Sequence, residues 1–178
     1  MIQFVVFVLL FLLFYMLYND KYNTYLKIAM IKYANNNANL CQIHRQRIND
    51  LLSMIEMKIK HLSEMRNNEY TVEFRKTLND YMIKLHGYNE ELFMYMVTSK
   101  GQIECLKNYM ELGTLDQKQI INNLRNINKN INNIYNDLNN IEKSLINLIH
   151  SYTELNINKK MLTNTHKNII KFQNVIGG

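Results

Sequence analysis

Proline and tryptophan are absent from this chain of 178 residues, and only five glycines and three alanines occur. Proline removes a backbone donor and clashes with the preceding turn, and glycine is costly in backbone entropy, so both interrupt helix interiors. Their scarcity leaves little to break long helices. Cysteine is equally thin. Cys41 and Cys105 lie far apart in sequence, which excludes a disulfide framework of the secreted kind and makes two buried thiols a better expectation than a single bridge.

Charge of one sign is never concentrated. The net charge is +6, yet no run of five like charges occurs. Segment charges are +4 over 1–66 (eight basic, four acidic), −2 over 67–113 (five, seven) and +4 over 114–178 (eight, four). Dispersed charge reads as solvated helix faces rather than as a nucleic-acid footprint, so nucleic acid is not an expected partner. The alternating sign suits a central acidic helix lying between two basic ones.

Catalytic signatures are missing too: there is no glycine-rich phosphate loop, no G-x-S-x-G and no H-E-x-x-H. Cys41 and His44 make a C-x-x-H half-site, but no second pair with zinc-ligand spacing follows. His61 with Glu64 and His86 with Glu90 have the spacing of surface contacts along a helix. The reading is therefore not an enzyme, with no catalytic residue, metal or cofactor.

What the chain does contain is asparagine, 28 residues of it, beside 12 tyrosines and 11 methionines. An AT-rich genome writes polar positions this way. Asparagine then carries little information, and the apolar spacing must be read instead.

The stretch IQFVVFVLLFLLFYMLY, residues 2–18, has one polar member and no charge. As a helix it is about 25 Å long, close to a hydrocarbon core of about 30 Å. No basic residue precedes it and no small-residue cleavage pattern follows, which favours an uncleaved anchor over a signal peptide. Tyr18, Tyr22 and Tyr25 with Lys21, Lys27 and Lys32 would then meet the membrane interface and its headgroups. The same lysines place the C-terminal bulk on the cytoplasmic side, or on a matrix or virion interior. The expected divisions are a transmembrane anchor at 1–19, a juxtamembrane amphipathic segment at 20–37 ending in ANNNAN, and a helical domain at 38–178.

In the helical domain the heptad spacing is explicit. Ile120, Ile127, Ile134, Ile141, Leu148, Leu155, Leu162 and Ile169 form one series, and Leu124, Ile131, Leu138, Leu145 and Tyr152 form its partner. Steps of three and four in alternation predict a helix supercoiled against a partner, with these residues as the interaction seam. Leu78, Leu85, Leu92 and Leu106 alternate with Phe74, Tyr81, Tyr88, Tyr95 and Tyr109 in a second helix, where Ser99, Gly101 and Gln102 suggest a kink or short loop. Cys41, Ile48, Ile55 and Leu62 with Leu52 and Ile59 mark a first helix. Helices of roughly 38–66, 70–112 and 115–172 result, the last opening on a Thr114–Gln117 capping box after Gly113.

The expected fold is all-α: a single N-terminal transmembrane helix followed by a long antiparallel bundle or coiled-coil rod of about three helices. The expected function is a membrane-anchored scaffold or tether that binds other protein chains or a second copy of itself, with membrane lipid as a further partner. A stalk subunit of a larger membrane complex and a viral or phage membrane-remodelling device are the alternatives. Asparagine at most positions flanking the seam offers few charge pairs, so partner specificity has no visible source.

Overall fold

The computed structural model describes residues 2–63, 69–108 and 114–176, with side chains over 6–63, 71–108 and 116–153. They form three helices, α1 (Ile2–Ser63), α2 (Glu69–Asn108) and α3 (Thr114–Ile176), with no strand among the described residues. The expected helical bundle is present. Its apolar residues recur in three-four steps, and the scarcity of proline and glycine leaves each helix unbroken.

Two compact units divide the chain, Met1–Asp50 with Leu85–Ile134 and Leu51–Lys84 with Tyr135–Gly178, and each helix contributes to both. In the first unit Ala34, Ile103 and Leu124 form a buried cluster, flanked by Ile31, Tyr33 and Ile120. Arg45 meets Asn89 and Phe93 in the same unit. Thus α1 ascends from 34 to 45 while α2 descends from 103 to 89, and the two are antiparallel. Tyr95 meets Asn130, so α2 and α3 are antiparallel as well. In this unit α1 and α3 consequently run parallel.

In the second unit Leu51, Leu52, Ile55 and Leu62 of α1, Phe74 and Leu78 of α2, and Leu138, Ile141 and Leu145 of α3 are buried. Phe74 stacks on Tyr152 with ring centroids 4.3 Å apart and planes 18° apart. Arg75 Nη2 donates to the Leu62 carbonyl at 3.3 Å. That carbonyl lies in the last described turn of α1, where helix carbonyls lack intrahelical partners and a cation is favoured by the helix dipole.

Three expectations need correction. The transmembrane anchor and the integral single-pass location are not upheld, since among the described residues no helix is long and apolar enough to cross a membrane. Residues 1–5 of the expected anchor lie outside the described side chains. The apolar run closes at Tyr18, before Asn19, Asp20 and Lys21.

Nor does a helix end at ANNNAN. α1 continues through it because Ala34, Asn37, Ala38 and Cys41 carry the buried three-four series of Ile48 and Ile55 back to Met30. Gly101 likewise marks no loop. α2 is continuous, no described residue has a positive φ, and Ser99 is fully buried as a member of the heptad series.

Candidate interaction site

The α3 seam residues lie inside this single chain. Leu124, Ile127, Ile131, Ile134, Leu138, Ile141 and Leu145 are buried, and Ile120, Leu148 and Tyr152 are half-buried. Leu155, Leu162 and Ile169 lie outside the described side chains, as does Tyr109 of the second series. Tyr81, Tyr88 and Tyr95 are half-buried at the edges of the α2 series.

Four asparagines do more than the composition suggested. Asn37 is wholly buried at a core position of α1. Its Nδ2 donates to the Leu124 carbonyl of α3 at 2.9 Å, and its Oδ1 accepts from Asn128 Nδ2 at 2.9 Å. Asn132 Nδ2 in turn donates to Asn128 Oδ1 at 3.2 Å. Asn130 Nδ2 donates to the Tyr95 hydroxyl of α2 at 3.1 Å. These bonds join α1 to α3 and α2 to α3 through polar groups in a mainly apolar core, in which His44, Thr71, Ser99 and Gln117 are buried as well. A buried asparagine is costly unless its amide is satisfied, and in helical bundles it fixes register at some expense of stability. Sequence spacing could have flagged Asn37, because it falls three residues after Ala34 and four before Cys41.

At the surface of the same unit Arg45 is held twice. Its guanidinium carbon sits 5.0 Å from the centroid of the Phe93 ring, and its Nε donates to Asn89 Oδ1 at 2.8 Å. Arg45, Asn89, Glu90, Phe93 and Met94 line a depression of about 460 Å³. Phe93, Met94 and Val97 are exposed on α2 beside it. The heptad reading did not find this station, since none of these residues belongs to a seam; an arginine on one helix facing a phenylalanine on the next leaves no sequence signature.

The start of α1 forms a different kind of surface. Each of the thirteen residues from 6 to 18 is exposed by between 40% and 73%. Of the expected interface residues, Tyr18, Tyr22, Tyr25, Lys21 and Lys32 are exposed, while Lys27 is half-buried and has a partner.

The C-x-x-H pair is a core feature. Among the described residues no group of three or more potential metal ligands occurs. Burial pushes the Cys41 thiol up to about 11, against a smaller opposing effect of the Arg45 charge. Burial, with a lesser contribution from Arg47, holds His44 below its ordinary range. Both residues face the bundle interior. Cys105 differs from expectation in being exposed, and both thiols are free; it lies one position before Leu106, which takes the core place. Comparison with known protein families, curated proteins and solved structures finds no match to this chain.

Proposed function

We propose that the chain is a non-enzymatic helical scaffold that binds other protein chains and is held at a lipid surface by the apolar start of α1. The observation that supports the lipid partner is the exposure of residues 6–18 on every face of the helix. A partner helix covers one stripe of about 100° and leaves the rest in water, whereas acyl chains surround a helix completely. Full burial of a large apolar side chain gives roughly 1.5–3 kcal/mol; as these thirteen are already partly covered by their own helix, covering the rest involves about 10–20 kcal/mol. A free energy of that size does not stay unclaimed in water. Tyr18, Tyr22 and Tyr25 follow at the level where amphipathic rings prefer the headgroup region, with Lys21 and Lys32 exposed beside them. The reading requires burial among acyl chains and makes no use of a spanning helix.

Flotation of the intact chain with phosphatidylcholine vesicles, with and without phosphatidylserine, tests this. The chain is expected to rise with both, and more completely with the anionic lipid. The triple variant Phe7→Ser, Phe11→Ser, Phe14→Ser is expected to stay at the bottom. An intact chain that remains at the bottom as a single monodisperse species overturns the lipid reading.

A further inference from the structure

We infer that the depression around Arg45 is a docking site for a segment of another protein that presents a carboxylate beside an apolar side chain. The inference rests on the scaffold reading and names the chemistry of the partner. Arginine is a rotamer-rich side chain, and ordering it normally opposes binding. Here that ordering precedes any ligand, because Phe93 supports the guanidinium face and Asn89 engages Nε. Among the described residues no carboxylate pairs with the terminal nitrogens. Those two nitrogens form the half of the fork that binds a carboxylate through two parallel hydrogen bonds.

The rest of the lining selects within the class of anions. Glu90 stands at the same depression, and its negative charge opposes a phosphate dianion more than a singly charged carboxylate. It also supplies an acceptor for a peptide N–H. Asn89 gives its Oδ1 to Arg45, which leaves its amide NH2 to donate to a peptide carbonyl. Phe93 and Met94 line the depression and Val97 continues their exposed face one turn along α2. That apolar strip suits a side chain next to the carboxylate. Methionine adapts to varied shapes, which suits a surface that accepts related sequences. A volume of about 460 Å³ is within the range of small-ligand clefts and holds one large side chain with its neighbouring carboxylate.

The test uses the full chain in mild detergent, labelled at methionine methyl groups and with nitrogen-15, with N-acetyl-phenylalanine as probe and its uncharged amide as control. The acid is expected to shift the Met94 methyl resonance saturably, and the amide to bind at least about tenfold more weakly, a difference typical of a charge-assisted pair. High salt should weaken the acid and leave the amide unchanged. Arg45→Gln should abolish the difference between acid and amide, and Arg45→Lys, which keeps the charge without the fork, should lose most of it. Should Arg45→Gln lower the helix signal, Met94→Glu at its exposed position supplies a like charge at the rim instead, with binding then read from chemical-shift changes of the Asn89 side-chain amide. Equal shifts with acid and amide, no shift with either, or a difference that survives Arg45→Gln or Met94→Glu in a folded chain overturns the site. Vesicle flotation is independent of Arg45, so failure here and failure of lipid attachment are separate results.

Discussion

Replacing Asn37 by alanine is the sharpest test of how this bundle is specified. The substitution removes a donor bond to the Leu124 carbonyl and an acceptor bond from Asn128, each with a net contribution of about 0.5–1.5 kcal/mol. Asn128 is only half-buried, so its released amide can turn to water and escapes the full penalty of burial. The alanine also leaves a small void at a position with no exposure. Together these give a loss of about 2–3 kcal/mol. With a urea slope of about 2–3 kcal/mol per M, the midpoint should fall by about 1 M. Unfolding of the full chain in mild detergent, followed by circular dichroism at the helix band, measures it.

Leucine at the same site separates the two roles of the amide. It has the branching of asparagine in a somewhat larger volume and buries an apolar side chain, whose gain of about 1.5–3 kcal/mol offsets the lost bonds and the cost of the tighter fit. Its midpoint should therefore lie near that of the parent. What it should lose is uniqueness of register, visible as doubled or broadened amide resonances. Asn132→Ala serves as the control, because Asn132 is exposed and bonds only within its own helix; its effect should stay under about 0.5 kcal/mol. The reasoning fails if Asn37→Ala and Asn132→Ala have the same midpoint.

Other consequences can be checked on the same preparation. Gly87 and Gly101 are exposed within α2, and a Cβ added at either meets nothing within 4 Å; alanine at each should raise stability by about 0.5–1 kcal/mol, additively, in urea titrations. At pH 8 a thiol-alkylating reagent should label exposed Cys105 and spare Cys41, whose buried thiol is pushed up to about 11, until urea unfolds the chain; mass spectrometry of the digested protein reads both sites. His44 is held below its ordinary 6.5 by burial and then by Arg47, so the unfolded chain binds more protons there than the folded one. The corresponding stability is present above about pH 6.5 and is lost as pH falls below it. The urea midpoint should drop from pH 7.5 to pH 5.5, and by less in His44→Gln.

The helices themselves were legible because their signal is local and redundant. Every third or fourth residue of α3 from Leu124 to Leu145 is apolar, and each of those residues is buried. The same logic misread two places. ANNNAN looked like a terminator because asparagine has low helix propensity, yet Ala34, Asn37 and Ala38 are core positions. Ser99 and Gln102 looked like a break because they are polar, yet α2 passes through them. Propensity is a weak prior, and packing against two neighbouring helices overrides it.

Asparagine divides the information most clearly. By itself the sequence determined that these residues are too many to be diagnostic, that the aliphatic spacing demands buried helix faces, and that no catalytic motif is present. Its spacing could mark Asn37 as a core position but not what the amides of Asn37, Asn128 and Asn132 bond to, because 25 other asparagines share their chemistry. Only the tertiary structure placed Asn37 across from the Leu124 carbonyl, 87 residues away, and Arg45 over Phe93. A hydrogen bond or a cation–ring contact depends on a few ångströms of three-dimensional distance, whereas burial of a helix face is already implied by period alone. The Asn37 bonds and the Tyr95–Asn130 bond depend on such distances, and period alone does not set them.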